Sequence, residues 1–520
     1  MANFSGDHTE HPPGTFLMAD HDAGSDPNVM SLHPKPSNDP NDPLATDKAR
    51  VAVQPTFWPQ MTVDLHTSMD TLSHGNSSKL AGLAIGGFLI VPFAVKYGRR
   101  PAYIFSTALM TAASWWSSRL QSSPEQIAAN FLTGVSGSVN EACVQMTIAD
   151  LFFVHQRGRA NAGYFFAILF GTYVTPIAAG SLAATKGWRW SYYALSIALT
   201  VETLLLVFGL EETKFVLPTL SPTGDRHALA TMADRDKLAV AQHGPMPDGK
   251  PDLVLEQRNS MQNASATLIL PHTYWERMRL ITKTDENLLQ VLLRPLYVVL
   301  LPHILITSVA FTFPITWLVL VIIMNPMFFA NPPYNFTTAV VGYMNIGPFI
   351  GSLFGLFYGG ILSDWSVKWL ARKNGGLYEP EMRLYLLIGP AFAMCGGLIL
   401  YGVTASAGAH WIWPSIGGAL FAAGLGAHGD ITFTMIIDTY REVVAEAFIN
   451  VTFIQNLGGI ILPLVRPSVQ RVLGPRNQFI LAGGISMLVS FMFIPLYVWG
   501  KQLRIMSAGR YYAAVEKVTR

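Results

Sequence analysis

Apolar residues gather in about eleven stretches along this chain, each close to the ~20 residues a helix needs to cross a bilayer. They fall at 79–95, 101–118, 127–150, 160–184 and 191–210, and again at 296–324, 338–362, 383–404, 411–437, 443–465 and 478–499. Between the two sets lies a polar interval, 211–293, rich in charge, Pro and Gly and too long for a tight helix connection, so it reads as a linker. Inside it Tyr274, Trp275, Met278 and Ile281 alternate with Glu276, Arg277, Arg279 and Lys283, a pattern that suits a segment lying flat on a membrane surface. The first fifty or so residues are rich in Pro, Asp, His and Ser, hold no apolar run of a secretory leader, and read as a solvated tail.

Composition sharpens this picture. The chain is 50% hydrophobic and only 13% charged, against about 25% charged in soluble proteins, and its mean hydropathy is +0.32. A net charge of +2 with scattered basic residues speaks against a nucleic-acid partner. Cys143 and Cys395 both fall inside apolar stretches, and His8, His11, His21 and His33 are too irregularly spaced for a metal site. The run from Gly244 to Lys250 lacks the Ser or Thr of a phosphate loop, having Pro251 instead, and no nucleophile elbow or zinc-helix motif is present. The expectation is therefore a membrane protein that is not an enzyme and needs no cofactor.

Lys and Arg in short loops set orientation, because the cytoplasmic side retains them. Alternate connections place Lys96, Arg99, Arg100, Arg157, Arg159, Lys368, Arg372, Lys373 and Arg441 on one side with the C-terminal cations, while Arg119, Lys186, Arg189, Arg466, Arg471 and Arg476 lie opposite. The linker and C-terminus come out cytoplasmic, and Asn335 with Thr337 forms an outward glycosylation sequon. An odd number of crossings puts the N-terminus outside although the tail carries no export signal. Val51 to Val63, with Gln54, Pro55 and Pro59, is too short and too interrupted to supply another crossing.

Ionisable groups in a bilayer cost about 2.5–3.5 kcal/mol each on insertion scales, so those at depth need a reason. Glu141, Glu202, His303, His428 and Asp430 are such groups. Proton or substrate binding and a hydrogen-bonded structural role are both open for the carboxyls, and packing is the plainer account of the histidines. Trp317, Phe311, Phe313 and Tyr343 offer an apolar wall for a bulky or cationic solute, or simply face lipid. Small residues recur every four positions at Gly163, Ala167, Gly171, Thr175 and Ala179, beside Pro176, and at Gly347, Gly351, Gly355 and Gly359. Such stripes let helices approach closely in lipid.

Short sequences at the ends of the stretches resemble the major facilitator superfamily, in particular the twelve-span fungal drug:proton antiporters. Gly98, Arg99, Arg100 and Pro101 are similar to the end of its signature loop, and Gly360, Leu362, Asp364 and Lys368 to the counterpart in the second half. Asp150, Arg157 and Gly158 match the segment after the fourth family span, Asp438, Tyr440, Arg441, Glu442 and Glu446 that after the tenth, and Gly187 to Trp190 the turn before the sixth. The resemblance implies an all-α membrane fold of two bundles, divided as an N-terminal tail with a residual first-span region (1–78), an N-terminal bundle (79–210), a cytoplasmic linker (211–293), a C-terminal bundle (294–500) and a cytoplasmic tail (501–520).

It further implies that Glu141, Asp430, His303 and His428 are the proton or substrate candidates, since the fourth, seventh and tenth spans line the cavity. Arg99, Arg100, Asp150, Arg157, Asp364, Asp438 and Arg441 would form a latch at the inner side, or merely set topology. Gly171, Pro176, Gly351 and Gly355 would lie on the helices that slide between the halves. The implied function is proton-coupled export of small organic molecules, drug-like compounds or a fungal secondary metabolite, by alternating access at the plasma membrane, with a vacuolar or other internal membrane as the alternative location. A facilitator or importer, or a truncated protein that transports nothing, are the alternatives. Two departures bear on these: Asn130 stands where the antiporters carry an arginine tied to proton coupling, and the first family span is absent between Leu44 and Gln54.

Overall fold

The computed structural model describes residues 16–17, 55–151, 154–210, 288–440 and 443–519. The tail histidines, the interval 211–287 and Arg441 lie outside these, as do the side chains of Asp150 and Arg157.

The first half comprises a short helix α1 (Trp58–Asp64), then α2 (Met69–Tyr97), α3 (Arg99–Ser117), α4 (Ser123–Leu151), α5 (Val154–Lys186) and α6 (Trp188–Gly209). The second half begins with α7 (Leu288–Val298) and α8 (Pro302–Phe329). A broken helix follows, made of α9 (Thr338–Tyr343), α10 (Ile346–Phe357), a π turn (Tyr358–Leu362) and α11 (Ser363–Lys373). A 3₁₀ segment (Pro380–Leu387) leads into α12 (Ile388–Ser406), then α13 (Ile412–Thr439), α14 (Val444–Ser490) and α15 (Phe493–Thr519). The only sheet among the described residues is a two-residue antiparallel pair, Phe16–Leu17 against Leu377–Tyr378.

Eight segments among the described residues are long and apolar enough to cross a bilayer. The last, Glu446–Ala513, reverses at Gly474, whose φ of 73° suits a residue without a Cβ. Gly187 turns the chain between α5 and α6 in the same way, at φ 86°. Helices α3 and α4 fall outside the eight because they carry many Ser, Thr and Asn, yet these side chains are buried and largely bonded within the bundle. Ser106 donates to the Ser136 carbonyl and Ser196 to Ser114. Glycine lets the backbones meet: Gly82 and Gly86 of α2 lie on Phe131 and Val135 of α4, and Gly134 lies on Lys79.

Helix bounds differ from the sequence reading in instructive places. Helix α2 starts ten residues before position 79, where Ser68 accepts a hydrogen bond from the Thr71 amide and Asp70 sits in the first turn. Helix α7 begins at Leu288, inside the interval read as linker, and residues 501–519, read as a tail, continue α15. Arg504 of that extension is fully buried and clasps Glu381 through two nitrogens at 2.8 Å. At the opposite end α1 closes the first half, with Phe57 stacked on Trp188 at 6.3 Å and edge-on to Tyr192 at 5.5 Å. Residues 42–54, where the departure from the family lies, are outside the described residues apart from this flank.

The Gly347–Gly359 stripe does not face the first half. Gly347, Gly351 and Gly355 press on the backbone of Ser415, Ala419 and Ala423, so the stripe locks α10 to α13 within the second half. The contact between halves uses other residues. Gly342 meets the Pro176 carbonyl and Gly180 the Thr338 carbonyl, each 2.8 Å from where a Cβ would stand, and Leu169 and Tyr173 pack on Ala422. Gly171 is buried in α5, whereas a side chain at Gly163 would enter open space.

Candidate functional site

Between the halves lies a cavity with room for about 40 Å³ of water, far below the 300–1,000 Å³ that enclose an organic ligand. Its walls come from both sides: Tyr164, Ile168 and Thr172 of α5 face Phe311, Ile315 and Leu318 of α8 and Phe433 of α13. Phe448, Thr452 and Gln455 of α14 complete it. Among the described residues, Glu141 of α4 is the one carboxyl in this wall. Its Oε2 accepts a hydrogen bond from Asn456 Nδ2 at 3.3 Å, a contact that bridges the first half to the second.

Apolar clusters lie toward both ends. Toward the Arg99 end, Val91, Val144 and Ile168 pack with Ile304, Ile436 and Val444. Toward the Gly187 end, Leu72, Leu80 and Leu83 pack with Val319 and Ile323. Polar contacts reinforce the second seam. Arg466 of α14 pairs with Asp70 of α2 at 2.5 Å, Ser73 Oγ donates to the Pro463 carbonyl at 3.3 Å, and Ser77 Oγ donates to the Ile460 carbonyl at 3.0 Å. Gln60 donates to Thr338 at 3.2 Å, and Ser181 donates to the Tyr343 hydroxyl at 3.2 Å.

The other sequence candidates lie elsewhere. Asp430 is buried on α13, but while Gly426, Gly429 and Phe433 line the cavity, its Cβ lies against Gly359 and a carboxylate oxygen against Gly360 of the π turn. His303 stands with Nε2 3.6 Å from Glu381 and Nδ1 3.5 Å from the Tyr440 hydroxyl. His428 lies between the rings of Phe311 and Phe493, at 6.3 and 5.2 Å, with no hydrogen-bond partner among the described residues. Of the four aromatics named from sequence, Phe311 alone is in the cavity wall.

The candidate latch is only partly assembled, and within one half. Asp364 and Asp438 both bond Arg383, at 2.9 and 3.1 Å, and Tyr378 donates to Asp438 at 2.5 Å. All four belong to the second half, so this cluster ties α11, the 3₁₀ segment and α13 together instead of bridging the halves. Arg100 donates to the Val207 carbonyl at 2.8 Å, near the C-terminal end of α6 where such carbonyls lack helical partners. Arg99 is buried beside it in sequence. Sequence reasoning missed Arg383, Asn456, Asp70 and Arg504. An arginine opening an apolar stretch two residues after Glu381 was a usable signal for the first, but Asn456 carries no charge and left none.

A family model described as the Major Facilitator Superfamily matches residues 49–463. Protein HOL1 of Saccharomyces cerevisiae is 25% identical to this chain, covering 98% of each. Efflux pump radE of Floropilus chiversii is 27% identical, covering 96% of this chain and 89% of its own. Among solved structures, the xylose transporter XylE from E. coli, in a partially occluded inward-open conformation, aligns with a TM-score of 0.55 at 15% identity, over 88% of this chain and 96% of that one. This last likeness bears on fold alone, and it agrees with the two helical halves around a central cavity. The chain belongs to the Major Facilitator Superfamily, as a multi-pass membrane protein that carries a small solute and is not an enzyme.

Proposed function

We propose that this transporter exports small apolar or cationic organic molecules, drug-like compounds or a fungal secondary metabolite, by proton-coupled alternating access at the plasma membrane. The observation that carries this reading is Glu141, a carboxyl that shares a cavity wall with Phe311, Phe433, Phe448 and Tyr164. Aromatic rings attract an organic cation and its apolar body, and a carboxyl opposite them supplies the counter-charge. The bond to Asn456 exists only while the halves are together. When they part on one side, Glu141 meets water there and exchanges a proton with that compartment, which couples the gradient to solute release. This assigns to Glu141 the coupling that Asn130 cannot perform in place of an arginine. The names of radE, an efflux pump, and of penM of Penicillium rubens, an MFS-type transporter, support a transporter of this class.

In this reading the chain crosses the membrane about eleven times, with the Arg99 end cytoplasmic and Asn335 glycosylated outside. The bundles at 79–210 and 294–500 are the moving bodies. Arg99, Arg100, Asp150, Arg157 and Arg441, with the Arg383 cluster holding Asp364 and Asp438, govern closure on the inner side.

The test is efflux of a lipophilic cationic dye from cells expressing the chain, with and without a collapsed proton gradient. Loss of efflux on collapse, and in Glu141→Gln, is the expected result. Efflux indifferent to the gradient supports the second reading, a facilitator, which Asn130 favours. No movement at all, recovered once a family-like span is placed between Leu44 and Gln54, means that the chain is a transporter lacking an essential helix.

A further inference from the structure

The end of α10, the π turn and α11 form a ridge with an outer face whose exposed side chains the transport site does not use. On this face Phe354, Phe357, Ile361 and Trp365 are 59% to 69% exposed, spaced three or four residues apart. The same face continues through Lys368, Trp369, Arg372 and Lys373, all exposed, with the Lys373 ammonium 3.7 Å from the Trp369 ring centre. The opposite face buries Ser363, Val367 and Ala371. From Phe354 to Arg372 the ridge measures about 27 Å at 1.5 Å per residue. It thus runs from apolar rings, through two tryptophans of the kind that settle at headgroup level, to three cations. Asp364, four residues before Lys368, is engaged by Arg383.

We propose that this ridge is a binding site for an anionic phospholipid of the cytoplasmic leaflet. The acyl chains lie along Phe354, Phe357 and Ile361, the glycerol level meets Trp365 and Trp369, and the phosphate with its anionic headgroup is held by Lys368, Arg372 and Lys373. Three features support it beyond positive charge at an inner loop. The cations share one face with the exposed rings, no carboxylate among the described residues pairs with them, and the order of apolar, aromatic and basic groups is that of a phospholipid from tail to head. Each cation strengthens binding of an anionic lipid about fivefold at moderate ionic strength. The occupied site adjoins Asp364, and through Arg383 and Asp438 it touches α13, which forms a wall of the cavity.

The test uses the full chain in nanodiscs of phosphatidylcholine, doped with brominated phosphatidylserine or, separately, brominated phosphatidylcholine, and reads tryptophan quenching. The expected result is stronger quenching by the serine lipid, with the excess absent in Trp365→Phe/Trp369→Phe. In Lys368→Gln/Arg372→Gln/Lys373→Gln the preference falls at least tenfold. Equal quenching of the native chain by both lipids overturns the proposal, as does an excess that survives the tryptophan replacements or is abolished by inorganic phosphate. None of these outcomes depends on transport, so failure here leaves the role of Glu141 untouched, and failure of the efflux test leaves this site untouched.

Discussion

Asp70 and Arg466 form an ion pair of 2.5 Å that fastens α2 of one half to α14 of the other. The guanidinium is almost wholly buried and also reaches Gln470 and the sulfur of Met327, whereas the carboxylate is 43% exposed. Removing the acid therefore leaves a buried cation short of its counter-charge.

Asp70→Asn weakens closure at this seam by about 1–2 kcal/mol, a value between those of exposed and buried pairs. The readout is the rate at which an impermeant maleimide labels Ser73→Cys, which rises about tenfold in the Asp70→Asn background. Exchanging the charges, Asp70→Arg with Arg466→Asp, brings the rate back down.

Asn456→Leu removes the donor that holds Glu141 across the cavity, and lowers gradient-driven efflux by about tenfold, the size of one hydrogen bond to a charged group. Combined with Glu141→Ala it has no further effect, because that change removes the acceptor of the same contact. Additive losses in initial efflux rate would separate the two residues.

Val at Gly351 or Gly355 forces side-chain atoms into the backbone of Ala419 or Ala423. Each substitution costs about 1–3 kcal/mol or more of stability, seen as a lower melting temperature in detergent. Gly163→Val, pointing into open space, shifts it little. The reverse ranking would mean that the stripe on α5 is the tighter packing surface.

Asp64 receives hydrogen bonds from Trp188 at 2.8 Å and Arg189 at 2.7 Å, which hold its carboxyl below the usual range, the Trp188 bond contributing most. A depressed folded-state value adds stability that is present above the ordinary carboxyl titration, about pH 4, and is lost as pH falls through the folded value. The melting temperature of the native chain accordingly drops more steeply below about pH 4 than that of Asp64→Asn. Parallel curves would remove this pair from the account.

Asn335 is exposed in the loop between α8 and α9, at φ 48°. Expression in a eukaryotic host gives a species whose mobility increases on N-glycosidase treatment, and Asn335→Gln abolishes that change. An enzyme-insensitive native chain would place this loop away from the glycosylation machinery.

The crossing helices were legible because lipid tolerates little except long apolar helices, and Glu141 was legible because a carboxyl among such residues is costly. The partner of a small-residue stripe was not legible. Spacing at Gly347, Gly351 and Gly355 announces a close neighbour without saying whether α5 or α13 supplies it, since that depends on how several helices settle together. Arg383 illustrates the same limit for charge. Its partners Asp364 and Asp438 stood out as acids at helix ends, but the residue that joins them lies on a third segment. Asn456 shows a different one: an uncharged amide costs too little in a membrane helix to signal a role.

The hydrogen bond from Ser73 to the Pro463 carbonyl reaches beyond fastening the seam. Within α14 that oxygen would ordinarily accept from the amide four residues on, which is Pro467 and has no N–H to give. Helix α14 is thus completed by a hydroxyl from the opposite half, and separating the halves at this end obliges another donor to take its place. Lipid has none, so parting there requires solvent to enter as the serine leaves. The balance between the two closures then follows water activity, and osmotic stress alone, with no solute and no gradient, shifts this transporter toward the form sealed at the Gly187 end.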